Sequence, residues 1–188
     1  FVDNNIKSVH FHAFKICDER HRIPKILKNE IDYKFLSLAK LFLINQENNR
    51  PLLYGLDNIT VFSDITDDST ALDAKDFYKQ LDKENPKSKF ILNIRNIDDW
   101  IKSRVNHKST GLLDKHCKYY NCDKEKVFEI WKNNFYNHIE DVKEYFKNRE
   151  NDLLIYDIDN DTPEKIKEFL GEKYNLNLDF FKHHHKSR

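Results

Sequence analysis

Between Pro86 and Arg104 the chain reads P-K-S-K-F-I-L-N-I-R-N-I-D-D-W-I-K-S-R. An apolar run, Lys89–Ile94, leads into Arg95. A helical pattern then starts near Asp98 and carries Ser103, eight residues beyond the arginine. A guanidinium presents a planar fork of N–H donors that matches an oxyanion, and a hydroxyl adds a further donor. Placed at a strand end and about a turn and a half into the following helix, the two residue types suit a phosphate. An arginine in that position can equally pair with a neighbouring acid, and a helix serine can equally be an ordinary surface residue.

Three other groups of residues carry potential chemistry. His10 and His12 alternate within Ser8–Phe14 and share one face, with Phe11 opposite. Asp64 closes the run Ile59–Ser63. Each is a candidate general base for a hydroxyl or amine. The histidines also fit hydrogen-bonded core or rim positions, and Asp64 fits a turn or helix cap before Ile65-Thr66-Asp67-Asp68. Near the end of the chain, F-F-K-H-H-H-K-S-R supplies His185, Lys186 and, less directly, Arg188 as anion partners, unless the terminus is simply solvated. His107, His116, Cys117 and Cys122 do not have the spacing of zinc ligands, so no metal is expected. Residues 105–123, with Lys108, Lys115, His116 and Lys118, read as a mobile substrate loop that would favour an anionic acceptor.

Short β-branched or aromatic runs predict strands over Ser8–Phe14, Ile59–Ser63, Lys89–Ile94 and Asp152–Tyr156. Helical spacing predicts helices over Ile23–Leu43, Asp73–Asp82, Lys124–Asn148 and Pro163–Tyr174, the last capped by Thr162. Alternating strands and helices predict a three-layer α/β fold, with a parallel central sheet flanked by helices. Ligands of such sheets bind beyond the carboxyl ends of the strands. That rule would carry His12, Asp64, Arg95, Asp157 and Asp159 toward one rim.

Bulk properties narrow the function further. The 188 residues include 32 basic and 32 acidic side chains, a balance that argues against a global nucleic-acid binder. No apolar run approaches the roughly 18–20 residues that cross a bilayer, so no stable membrane span is expected. Three cysteines are too few and odd in number for a disulfide scaffold, and they read as reduced thiols of a cytoplasmic protein. A first residue of Phe1 and the absence of methionine are read as a fragment or processed chain. One domain is expected for this length, incomplete at its N-terminus.

The Phe90, Arg95 and Ser103 stretch resembles the 3′-phosphate-binding segment of sulfotransferases that use 3′-phosphoadenosine 5′-phosphosulfate (PAPS). These enzymes have a fold like that of P-loop NTPases, with a strand ending in Arg, seven residues, and then Ser on the next helix. Asp76-Phe77-Tyr78-Lys79-Gln80-Leu81 followed by Asn85-Pro86-Lys87-Ser88-Lys89-Phe90-Ile91-Leu92 is similar to the family passage upstream of that strand. The long amphipathic helix, the L-L-I-Y-D-I strand, the Thr162-Pro163 helix start and the basic tail follow the family order, so the resemblance covers most of the chain. It implies PAPS as co-substrate, adenosine 3′,5′-bisphosphate as product, and a small-molecule or carbohydrate acceptor. It also implies that Arg95 and Ser103 bind the 3′-phosphate, that Lys186 and His185 close over it, and that Asp64 or His12 serves as base. The family's Gly/Lys/Ser-Thr phosphosulfate loop is absent from these residues and is expected to precede Phe1. Two other readings remain: a P-loop-type small-molecule or nucleotide kinase, and a catalytically inactive sulfotransferase-like interaction module.

Overall fold

The computed structural model describes residues 4–11, 36–106 and 111–181. The fold is α/β and contains two small parallel sheets. The chain divides into two compact units, Phe1–Pro86 and Lys87–Arg188.

In the first unit, β1 (Ser8–His10) pairs in parallel with β2 (Val61–Ser63), and His10 lies opposite Ser63. Helix α1 (Leu38–Glu47) buries Leu38, Ala39, Leu41 and Phe42 against Val9, Leu52, Leu56 and Phe77. The expected Ile23–Leu43 helix is interrupted in its described part. Ser37 has extended backbone and caps α1, its hydroxyl accepting from the Lys40 amide at 3.2 Å. The same hydroxyl donates to Asp67 at 2.8 Å, so a distant acid fixes where the helix begins. Asn45 is fully buried and donates to the carbonyls of Leu52 (2.9 Å) and Tyr54 (3.2 Å), which folds the chain after α1 back onto the helix.

The predicted Asp73–Asp82 helix divides in two. A reciprocal cap between Asp73 and Asp76 closes a 3₁₀ turn over Ala74–Asp76, and helix α2 (Tyr78–Glu84) follows. Satisfying both donors locally ends the first turn before it can continue as one helix.

In the second unit, β3 (Phe90–Ile94) and β4 (Leu153–Asp157) pair in parallel over their whole length, from Phe90 opposite Leu153 to Ile94 opposite Asp157. Helix α3 (Ile97–Asn106) follows β3, and α4 (Leu112–Tyr120) precedes the long α5 (Lys124–Phe146). Asp123 caps α5, its carboxylate accepting from the Lys126 amide at 2.9 Å. Phe146 is buried and meets Phe90 of β3 with ring centroids 5.1 Å apart. Leu112, Val127 and Trp131 form a second buried cluster. Helix α6 (Pro163–Leu170) stops at Gly171, whose φ of 72° leaves the helical region, and a separate 3₁₀ turn covers Glu172–Tyr174. Thr162 occupies the cap position as expected, but its hydroxyl serves the Glu164 side chain instead of a helix amide.

Residues 105–123 correct the expectation of a loop, because α4 occupies Leu112–Tyr120. Leu112 and His116, four residues apart, bury one face of it. Among the described residues no helix is long and apolar enough to cross a membrane.

Candidate functional site

Arg95 is the first residue beyond β3, where the ladder with β4 continues through the Ile158 amide donating to the Ile94 carbonyl at 3.0 Å. That pairing brings Arg95 beside the loop 157–161. Its Nη2 lies 3.7 Å from Asp159 Oδ1, beyond hydrogen-bond length, and the guanidinium is partly exposed. Its Nε is buried and has no hydrogen-bond partner among the described residues. A buried N–H of a charged group without an acceptor is costly and rare. Arg95 therefore retains unused donor capacity.

The other oxygen of Asp159 accepts from the Asn96 amide at 3.1 Å. Asn96 in turn caps α3, its side-chain oxygen accepting from the amides of Asp98 (2.9 Å) and Asp99 (3.3 Å). Ser103 is exposed on α3, about 9 Å along the axis from Ile97 at 1.5 Å per residue. Trp100 faces inward, its ring centroid 6.4 Å from Trp131, and Arg104 stacks its guanidinium on both rings at 4.6 and 4.8 Å. Those contacts fix the rotation of α3 and so the face on which Ser103 is presented.

Two of the other carboxylates at this strand end are occupied. Asp157 accepts from the Asn160 side chain (2.8 Å) and the Asp159 amide (3.0 Å), which together hold its carboxyl below the usual range. Asp161 is likewise held down, first by Lys165 at 2.6 Å and then by the Asp157 amide at 2.7 Å. Asp159 is thus the carboxylate that faces Arg95.

In the first unit, the carboxyl end of β1 and β2 holds a different arrangement. His10 Nδ1 lies 3.2 Å from Ser63 Oγ, and His10 Nε2 lies 3.4 Å from Asp64 Oδ2. Strand register places His10 opposite Ser63, and Asp64 leaves the strand in the left-handed region with φ of 54°. A non-glycine residue held there is uncommon, and such positions cluster at ligand-binding and catalytic sites. An imidazole held between a hydroxyl and a carboxylate has its ring orientation set, as a proton-transfer group requires.

Of the residues expected to form a site, Arg95 and Ser103 share the β3–α3 passage, with no hydrogen bond between them. Asp64 is met by His10. The proposed base His12, and the tail residues His185 and Lys186, lie outside the described residues. Ser63 was not foreseen; its role follows from strand register, which the sequence alone does not supply. His116 is removed from the expected cationic acceptor loop, because it is buried and accepts the Trp131 indole N–H at 2.9 Å. Among the described residues no cluster of three or more His, Cys, Asp or Glu side chains could hold a metal ion. No protein-family model, curated protein or solved structure matches the chain.

Proposed function

We propose that the chain is a PAPS-dependent sulfotransferase or a portion of one, with the three-layer, P-loop-like architecture that its resemblance implies. The observation that carries this reading is Arg95. It stands at the end of a parallel strand with one buried N–H unmatched and only a long contact to Asp159. A dianionic phosphate has the geometry to accept from that fork and the charge to displace the carboxylate. Ser103 on the following helix supplies a neutral donor to the same group.

Sulfuryl transfer, like phosphoryl transfer, is an in-line displacement governed by positioning and charge stabilisation. The acceptor oxygen or nitrogen attacks sulfur, the bond from sulfur to the phosphate oxygen breaks, and adenosine 3′,5′-bisphosphate leaves. Arg95 and Ser103 anchor the nucleotide through a group that does not react, so their binding energy serves orientation. The acceptor's proton goes to a base. The resemblance gives that role to Asp64 or His12; of the two, Asp64 is the described residue, and it contacts His10. Arg188, Lys186 and His185 are proposed only from the resemblance.

One observation favours a second reading. An Arg95–Asp159 pair is also what an inactive, sulfotransferase-like interaction module would keep. Thermal unfolding of the full-length protein separates the possibilities. Adenosine 3′,5′-bisphosphate at 100 times its dissociation constant would stabilise a binding protein by about 2.7 kcal/mol. The sulfotransferase reading expects an upward shift with the bisphosphate and a much smaller one with adenosine 5′-monophosphate. A shift with Mg-ATP alone indicates the kinase, and no shift with any nucleotide indicates the inactive module.

A further inference from the structure

Helix α4 ends in a tight reversal that joins the backbones of Cys117 and Cys122. Asn121 adopts the left-handed conformation, with φ of 51° and ψ of 50°. The Cys122 amide then donates to the Cys117 carbonyl at 3.1 Å, and the Asn121 amide donates to the Lys118 carbonyl at 3.3 Å. This pair of bonds is the helix ending in which the residue third from the cap meets the second residue beyond it, commonly through an apolar contact. Here those two positions are Cys117 and Cys122, and both pack on the Leu112, Val127 and Trp131 cluster. In a continuing helix, residues five apart would point about 140° away from each other. Burial pushes the Cys122 thiol up, and Cys117 adds to the effect, as expected of neighbouring sulfurs.

We propose that Cys117 and Cys122, both free thiols here, form a preorganised dithiol that closes to an intramolecular disulfide by exchange with a small disulfide of the glutathione class. One protein thiolate attacks a sulfur of the reagent, forming a mixed disulfide and releasing one reagent thiol. The second protein thiolate attacks the protein sulfur of that mixed disulfide and releases the other. The protein is oxidised by two electrons and loses two protons, and the reagent disulfide is reduced to two thiols. The new bond pins the last turn of α4 to the short connection into α5, next to the Asp123 cap.

The test uses the full chain carrying Cys17→Ser, treated with oxidised glutathione and followed by intact mass and alkylation. The expected product has lost two hydrogens, carries no glutathione and protects Cys117 and Cys122 from alkylation. Ring closure from the mixed disulfide should run at least about tenfold faster in buffer than in denaturing guanidinium, because folding raises the effective concentration of the second thiol. Asn121→Gly, which keeps the left-handed turn, should close normally, and Asn121→Val should close more slowly. Stable glutathione adducts on both cysteines, or closure no faster in buffer than in denaturant, would overturn the proposal. The comparison of solvents decides the matter even if Asn121→Val does not fold.

Discussion

The two parallel strand pairs finish differently. At the end of β1 and β2, His10 is held between Ser63 and Asp64, so each ring nitrogen has a neighbour. At the end of β3 and β4, Arg95 faces a single carboxylate at a length too great for a hydrogen bond and keeps a buried N–H unmatched. The first arrangement ties an exposed imidazole to a hydroxyl and a carboxylate. The second leaves guanidinium donor capacity unused. The same kind of strand end thus differs in how fully its polar groups satisfy one another.

A sharper contrast lies within the first unit, three residues apart. Asp64 is partly exposed and contacts His10. Asp67 is buried and accepts from Ser37, from both the amide and hydroxyl of Ser69, and from both the amide and hydroxyl of Thr70. Asp67 is therefore expected to be the structural acid. Asp67→Ala, which strands these donors, should lower unfolding stability by about 3 kcal/mol, whereas Asp64→Asn should change it by less than about 0.5 kcal/mol. Urea denaturation of both variants checks this, and equal losses would erase the distinction.

The ionisation of Asp67 gives the same contrast a pH dependence. Burial works to raise its carboxyl, but the bonds from Ser69, Ser37 and Thr70 outweigh it and hold the carboxyl below its ordinary value. A depressed folded pKa contributes stability that is complete above the unfolded value, near pH 4, and is lost as pH falls through the folded value. The stability gap between wild type and Asp67→Asn should accordingly narrow between pH 5 and pH 2 in denaturation titrations. A gap that stays constant would show that the carboxylate charge is not what the hydroxyls and amides hold.

The Arg95 end makes the next predictions. Arg95→Ala should weaken binding of adenosine 3′,5′-bisphosphate by roughly 2 kcal/mol, about 30-fold, because it removes a charge-assisted partner. Ser103→Ala should cost about fivefold, the loss of one neutral donor. Asp159→Asn should change affinity least and in the opposite direction, tightening it about two- to threefold by removing a partly exposed competitor. Calorimetric titration reads all three. If Asp159→Asn weakens binding as much as Arg95→Ala, the carboxylate orients the arginine and does not compete with the ligand.

Much of this framework is legible in the sequence. The four strand cores and their parallel pairing follow from short apolar runs alternating with helices, but the expected single central sheet is two separate two-stranded sheets, and only Arg95, Asp157 and Asp159 of the expected rim share one of them. The long helix begins at Lys124, where its apolar stripe predicts. What escapes a local reading depends on distant partners. Helix α1 begins at Leu38 because Ser37, its cap, is fixed by Asp67, thirty residues later. Ser63 joins His10 only once the register of β1 and β2 is set. Helix α4 is short, and its pattern of Leu112 and His116 becomes a buried face only when Trp131 meets the imidazole. Asp73 and Asp76 divide a predicted helix by capping each other, a local motif masked by the apolar spacing around it.

The central claim is that Arg95 reads a phosphate on the 3′ side of an adenosine nucleotide. The most direct measurement compares the affinities of adenosine 3′,5′-bisphosphate and adenosine 5′-monophosphate for the full-length wild-type protein and for Arg95→Ala. A preference of more than about tenfold for the bisphosphate in the wild type, falling close to parity in the variant, is the predicted result. An undiminished preference in Arg95→Ala, or no preference in the wild type, would contradict it.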